Sequence, residues 1–323
     1  MALRDYIFSR MIQAIPVLLS VIIINFLLVH AAPGDIATYF VGLHSPTPDQ
    51  IAAVRAKYGL DKPLWIQFFT YMESIVRLDL GYSWSYGAPV INVISERIPA
   101  TLLLTSTSLA LSLVFGILGG ALTARKPGKS IDVTASLLLL ALYSTPVFWG
   151  GLILMLFFAV DLKLLPTSGV LGTESLVGFP YVVDLLRHLI LPAATLCLFY
   201  LLGLYFRVTR SSVVEVSRED FVTTARAVGY DENTIFNKYV LRNALLPVVT
   251  LAGYEMGFLF SGALITETVF AWPGIGRLTY EAVLSRDFPL LMGSYLITSL
   301  CVIIASLATD VLYTLLDPRV KLE

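Results

Sequence analysis

The sequence predicts an all-α polytopic membrane protein with six transmembrane helices. Hydrophobic residues make up 57% of the 323-residue chain and charged residues only 14%, whereas a soluble domain carries about 25% charge. Six stretches are also nearly free of charge and long enough to cross the hydrocarbon layer, which takes about 20 apolar residues in a helix. Soluble enzymes, disordered chains and fibrous repeats are excluded, because none of them could hide this much apolar surface.

The six predicted spans occupy the gaps between charged residues. The first lies in residues 1–30, after a short N-terminal segment. The other five lie at about 98–124, 133–160, 188–206, 243–266 and 288–312. The letters VHA at 29–31 resemble a signal-peptide cleavage site, but the apolar run at 11–29 is longer than the usual core of about 7–15 residues. We therefore expect an uncleaved first span.

The distribution of Lys and Arg predicts that both termini are cytoplasmic. With that orientation, the cytoplasmic segments carry 13 basic residues in 68 positions and the external segments 9 in 115. Cytoplasmic loops are normally the richer in basic residues. The orientation makes 31–97 an external insert, 207–242 a cytoplasmic loop and 317–323 a cytoplasmic tail, with residues 98–316 as the transmembrane domain.

The insert is predicted to be partly helical. Thr47 as N-cap, Pro48 at the first helical position and Gln50 at the third favour a helix at about 48–58, and Gly59 favours its end. A second apolar pattern at helical spacing then follows. Its members are Leu64, Trp65, Phe68, Phe69 and Met72. We expect this second face to pack on the membrane domain.

The loop 207–242 is too polar to lie in lipid, and its pattern predicts two short helices. Ser217 is a candidate N-cap, with Asp220 near the positive end of the helix dipole. Gly229 would end this first helix in a left-handed conformation. Asp231 would cap the second.

The same loop carries apolar side chains that a solvated connector does not need. They are Phe221, Tyr230, Ile235, Phe236 and Tyr239. The pattern leaves two interpretations open: a simple connector, or a surface that docks on another protein.

Several kinds of chemistry find no support in the sequence. The letters GKS at 128–130 resemble the end of a phosphate-binding loop, but Thr123 stands where that motif needs its first Gly. The three His residues and the two cysteines, Cys197 and Cys301, lie far apart, so no metal site is expected. A net charge of −1 gives no reason to expect nucleic acid as a partner.

Glu255 is the one charged residue inside the predicted span 243–266. A carboxylate near the centre of a span costs a few kcal/mol, so it should face protein or water. It is a candidate for lining a translocation path. A side chain hydrogen-bonded to a neighbouring helix explains it equally well.

Several segments together resemble one known family. The letters TARAVG at 224–229 and LRNALLP at 241–247 resemble the cytoplasmic signature of the permeases of ABC importers. Other segments resemble the B-type permease of dipeptide and oligopeptide importers. They are PGD at 33–35, GLDKPL at 59–64, DLGYS at 79–83, RIPATL at 97–102 and ETVFAWPGIGR at 267–277. Three positions depart from the general signature: Thr223 stands at its Glu position, Thr224 stands at the next position, and Arg242 replaces a Pro.

The resemblance implies a type I importer fold and a set of partners. These are a second, related permease, two ATPase subunits that bind ATP and Mg²⁺, and an external substrate-binding protein. No cofactor would be bound by this chain. The resemblance also implies that the loop contains a coupling helix at an ATPase. The residues carried over to that role are Ala225, Ala227, Gly229, Tyr230, Asp231, Ile235, Phe236 and Tyr239.

The resemblance leaves the substrate open. Peptides are the default, while similar importers carry oligosaccharides, nickel complexes or glutathione. From the residues alone, an ion-coupled secondary transporter is a second hypothesis, although only Glu255 is an intramembrane ionisable group. A membrane-embedded enzyme is a third, and it lacks paired catalytic groups at one depth.

Overall fold

A computed structural model describes residues 3–41, 47–172 and 177–316. The N-terminal helices are α1 Leu3–Ala31, α2 Ile36–Val41, α3 Pro48–Tyr58, α4 Leu64–Val76 and α5 Val90–Ala124. A small antiparallel hairpin between α4 and α5 pairs β1 Tyr82–Ser83 with β2 Ala88–Pro89. The predicted tail 317–323 and His44 lie outside the described residues.

The chain continues as α6 Ser130–Tyr143, α7 Val147–Met155, α8 Phe179–Leu196, α9 Leu202–Val216, α10 Asp220–Ala227, α11 Glu232–Thr234, α12 Arg242–Ala244, α13 Leu246–Phe258, α14 Leu264–Val269, α15 Ile275–Ser285 and α16 Phe288–Leu316. Three π-helical segments extend neighbouring helices, at Leu156–Asp161, Cys197–Leu201 and Ile235–Leu241. The architecture is therefore almost entirely helical, in agreement with the predicted class.

Within the described residues, four helices are long and apolar enough to cross a membrane. They are Phe8–Ala31, Val90–Ala124, Phe179–Val216 and Phe288–Thr309. A fifth span results if α6 and α7 count as one, although they meet at an angle of 99°. Pro146, just before α7, causes this bend, because a proline lacks the N–H and keeps the preceding residue out of the helical conformation.

The expectation of one continuous helix at 243–266 is wrong. Helix α13 ends at Phe258, and at about 1.5 Å per residue its 13 residues are too short for the hydrocarbon layer. Gly262 then adopts a left-handed conformation with φ +80°, and the chain restarts as α14. Low charge alone could not reveal this break. The spans predicted at 98–124 and 188–206 are also longer in the structure, as helical stretches Val90–Ala124 and Phe179–Val216.

The chain divides into two compact units. The first holds Met1–Leu102, Phe260–Leu264 and Pro273–Glu323. Its core joins the start of α5 to α15 and α16 through Val90, Val93, Ile94, Leu278, Ala282 and Leu290. The buried Asp287 carboxylate fastens the hairpin to this core, accepting hydrogen bonds from the Ser83 and Ser85 hydroxyls at 2.6 Å each.

The second unit holds Leu103–Leu259 and Ile265–Trp272. Here α5 and α9 approach each other closely because glycines face the partner helix. A Cβ atom on Gly116 would lie 2.6 Å from the Cβ of Tyr205, and one on Gly120 would lie 2.7 Å from the Phe206 carbonyl oxygen. This is the small-residue packing typical of membrane helices. Helix α9 leads from this contact directly into the candidate site.

Candidate functional site

The loop after α9 forms two short helices joined by a sharp turn at Gly229. The Gly229 N–H donates to the Arg226 carbonyl, and the Tyr230 N–H donates to the Ala225 carbonyl. These two bonds form a Schellman motif, in which the first residue beyond the helix cap adopts a left-handed conformation. Gly229 supplies it with φ +97°. The predicted role of Gly229 as the end of the first helix is confirmed.

The second helix begins where the sequence predicts. Asp231 is the N-cap of α11, and its carboxylate accepts the Thr234 N–H at 2.9 Å. Hydrogen bonds from the Thr234 side chain and backbone lower the pKa of Asp231. The predicted N-cap of the first helix is wrong, however. The Ser217 hydroxyl donates to Val213 at the end of α9, and Glu219 occupies the N-cap of α10, with Asp220 in its first turn.

An ion pair bridges the turn. The Arg226 guanidinium donates two hydrogen bonds to the Glu232 carboxylate, at 2.8 and 3.3 Å. Arg226 lowers the pKa of Glu232 in consequence. Both side chains are exposed, so the pair helps to orient the two helices and adds little stability.

Both short helices rest on an apolar cluster that belongs to the chain itself. Its buried members are Ala124, Val213, Val222, Ala225, Ile235, Val240 and Ala244. Two residues expected at a partner interface, Ala225 and Ile235, are thus buried at 6% and 1% exposure. They hold the helices on the base of α9. Phe236 and Tyr239 are half-buried, and Phe236 packs against the same cluster.

The exposed part of the turn, here called the tip, consists of Ala227, Val228, Gly229, Tyr230 and Asp231. Val228 is 70% exposed and Tyr230 is 48% exposed, so the tip presents apolar side chains to the surroundings. The Tyr230 ring also packs against Tyr239, with centroids 5.7 Å apart. Sequence analysis missed Val228, although its place beside the capping glycine could have indicated it.

The turn between α5 and α6 contacts the site in two places, and neither contact was predictable from the sequence. Arg125 lies over the Phe236 ring, 4.1 Å from its centroid. On the other side of the turn, the buried Asp132 carboxylate accepts two hydrogen bonds from Arg210 of α9, one of them at 2.8 Å. Asp132 also accepts the Gly128 N–H at 2.8 Å. The Gly128 amide is therefore bonded within the chain.

Glu255 lies in the last turn of α13, near the middle of the stretch 243–266. It is half-buried and close enough to Tyr200 and Tyr205 to interact with them electrostatically. Its carboxylate forms no ion pair within the described part of the chain. A negative charge at a helix C-terminus is unfavourable, so helix stability does not account for a Glu at position 255. The candidate path role stays a prediction.

Two family models match the sequence. The model for "Binding-protein-dependent transport system inner membrane component" covers residues 116–322, and the model for the N-terminal part of such membrane components covers residues 3–105. The chain belongs to this family. It is accordingly a multi-pass component of the plasma membrane, in a class of transport system that includes ATPases and a binding protein.

Similar proteins span the whole chain. The oligopeptide transport system permease protein AppB of Bacillus subtilis is 37% identical over 317 residues, covering 98% of this chain and 99% of AppB. The dipeptide transport system permease protein DppB of Escherichia coli K12 is 35% identical over 335 residues, with 98% of each chain covered. The di/tripeptide permease DppB of Pseudomonas aeruginosa is 36% identical with the same coverage. The resemblance to the peptide-importer permeases is confirmed.

Proposed function

We propose that the chain is the permease subunit of an ATP-driven, binding-protein-dependent importer that carries dipeptides or oligopeptides. The observation that carries the proposal is the full-length similarity to permeases named for peptide transport. With a second, related permease the chain would enclose the translocation path. Two ATPase subunits and an external substrate-binding protein would complete the assembly.

The proposed topology has six spans, with both termini in the cytoplasm and the insert 31–97 outside. The bent pair α6 and α7 would form the third span. Helix α13, the break at Gly262 and α14 would together form the fifth. The excess of Lys and Arg in the segments assigned to the cytoplasm supports this orientation.

In this assembly the tip would dock on one ATPase subunit, which alone would bind ATP and Mg²⁺. Two features of the loop support that role. Its apolar tip is exposed, and its base is fastened by the buried cluster and the Asp132–Arg210 pair. A surface held this firmly would move with α9 as a rigid body. Movement of the ATPases would then switch the permease pair between inward-open and outward-open arrangements.

Reconstitution of the complete assembly in liposomes tests the proposal. With the binding protein and a labelled dipeptide outside and ATP inside, uptake should require ATP hydrolysis and resist an ionophore. Uptake that survives loss of the ATPases but collapses with the ionophore would support the ion-coupled alternative instead. Mass spectrometry of the ligand held by the binding protein separates a peptide from an oligosaccharide, a nickel complex or glutathione.

Glu255 would line the path in this proposal. Its half-burial without an ion pair supports the idea, since a carboxylate in such a place should face water or substrate. We expect Glu255→Gln to change uptake rate or substrate range at normal expression. Glu73→Gln, on the exposed Glu73–Arg77 pair, is the matched control. Unchanged transport by Glu255→Gln would remove Glu255 from the path.

A further inference from the structure

Helix α4 exposes large apolar side chains that a helix packed on a protein core in water would bury. Its inward side carries Gln67, Thr70 and Ser74, which are buried or half-buried. Its outward side carries Trp65, Phe69 and Val76, with exposures of 64%, 65% and 79%. These three lie one above another because they are separated by four and seven residues. They are called here the α4 face.

The polar side chains of Gln67, Thr70 and Ser74 are all hydrogen-bonded on the inward side. The Gln67 amide nitrogen donates to the Lys62 carbonyl at 2.7 Å, and its oxygen lies 2.8 Å from His30 Nε2. The Thr70 and Ser74 hydroxyls donate to carbonyls one turn earlier in the helix. The exposed apolar side chains are left to contact something other than water.

The position of α4 along α1 indicates what these exposed side chains contact. Helix α1 is apolar enough to cross the membrane from Phe8 to Ala31. Helix α4 contacts the last turns of α1: Phe68 packs edge-on against Phe26, with centroids 5.3 Å apart, and Gln67 reaches His30. Helix α4 therefore lies where the hydrocarbon layer ends. On those same turns Leu27 and Leu28 of α1 are exposed and apolar, as residues that face lipid are.

We propose that the α4 face lies in the interfacial region of the bilayer, with α4 attached to the membrane surface as an interfacial helix. Trp and Phe favour this region, where an aromatic ring meets both headgroups and acyl chains. The exposed Glu73, four residues after Phe69 and three before Val76, lies on the same side of α4, and its ion pair with Arg77 would reach the headgroups. The one hydrogen-bond donor among the three members is the indole N–H of Trp65, which can reach the headgroups while the rings and Val76 contact acyl chains. The proposal requires only that α1 spans the membrane, so it stands apart from the proposed transport function.

Accessibility of a spin label tests it. In the complete assembly in lipid nanodiscs, with Cys197 and Cys301 of this chain replaced by serine, a nitroxide is attached at Phe69→Cys. The reference position is Ala53→Cys, which is exposed on the more polar helix α3. The signal of the chain without introduced cysteines is subtracted as background. At Phe69 the label should collide more often with oxygen, which dissolves in lipid, than with a water-soluble nickel chelate. At Ala53 the chelate should collide with the label more often than oxygen does.

Two results would overturn the proposal. If the nickel chelate reaches the label at Phe69 as readily as at Ala53, the α4 face lies in water. If neither reagent reaches Phe69, another protein subunit covers it. Both substituted side chains are exposed, so the folded chain should tolerate the labels.

Discussion

The segments 31–97 and 207–242 are the two long stretches outside the predicted spans, and they use their apolar residues in opposite ways. Segment 207–242 buries Val222, Ile235 and Val240 in its own cluster and exposes a small tip. In segment 31–97, α4 buries Gln67 and exposes Trp65 and Phe69. In our proposals this difference corresponds to different surroundings: water with a docking protein for the first segment, and lipid for the second. Similar hydrophobic content in two loops therefore predicts neither their orientation nor their partner.

The largest effect should come from removing a charge partner. Arg210→Ala leaves the Asp132 carboxylate buried, with only the Gly128 amide to bond it, which should lower the free energy of unfolding by about 3–5 kcal/mol. In the other segment, Arg77→Ala breaks an exposed pair and should cost less than about 1 kcal/mol. Thermal unfolding of the two variants measures the contrast. Equal losses would mean that Asp132 is not buried as described.

A cavity in the cluster should have the next largest effect. Ile235→Ala removes a fully buried side chain and should lower the free energy of unfolding by about 2–5 kcal/mol. Val228→Ala at the exposed tip should change it by less than about 0.5 kcal/mol but should weaken binding of the ATPase. Measuring both unfolding and ATPase affinity for the two variants separates a residue that stabilises the loop from one that contacts the ATPase. A Val228 variant that unfolds more easily than the Ile235 variant would reverse the two assignments.

Two left-handed glycines provide the third comparison. Gly59 ends α3 with φ +62°, and Gly229 ends α10 with φ +97°. An alanine at either position should cost about 1 kcal/mol, because the left-handed conformation strains a residue with a Cβ. No atom lies within 4 Å of a Cβ at Gly229, so backbone strain alone is responsible there. Only Gly229→Ala should also raise the ATP consumed per peptide transported. The same rise in Gly59→Ala would contradict a special role for the tip.

The smallest effect concerns the ion pair that bridges the tip. Arg226 lowers the pKa of Glu232 in the folded state, so the stabilisation is present above the unfolded value of about 4.3 and disappears as pH falls through the folded value. The wild type should therefore unfold slightly later than Glu232→Gln at neutral pH, and the two curves should converge once the pH falls below the folded-state pKa of Glu232. If the difference in stability between the two proteins grows on acidification, the ion pair does not lower the pKa of Glu232.

Local backbone signals were predictable from the sequence wherever one residue type determines the conformation. Thr47 and Gln50 form the predicted capping box of α3, and Gly229 and Asp231 flank the predicted turn. The helical class followed from composition in the same way. In each case the interaction lies within a few residues along the chain, which is the range that sequence patterns report.

Interactions between distant residues were not predictable. Asp132 and Arg210 are separated by 78 positions, and nothing in either segment indicates the other. The bend at Pro146 and the break at Gly262 lie inside stretches whose low charge suggested continuous helices. The outward α4 face was also missed: Trp65 and Phe69 were expected to pack on the membrane domain, because periodicity shows that a helix has an apolar side but not what that side contacts.

Cross-linking at the tip tests most directly whether segment 207–242 docks on an ATPase. In the working assembly, with Cys197 and Cys301 of this chain replaced by serine, a cysteine at Val228 should cross-link to an ATPase subunit through a short bifunctional reagent. A cysteine at the buried Ala225 should not. Cross-linking at Val228 alone, in complexes that transport peptide, is the predicted result. If Val228 stays unlinked while the complexes transport normally, the tip is not the contact.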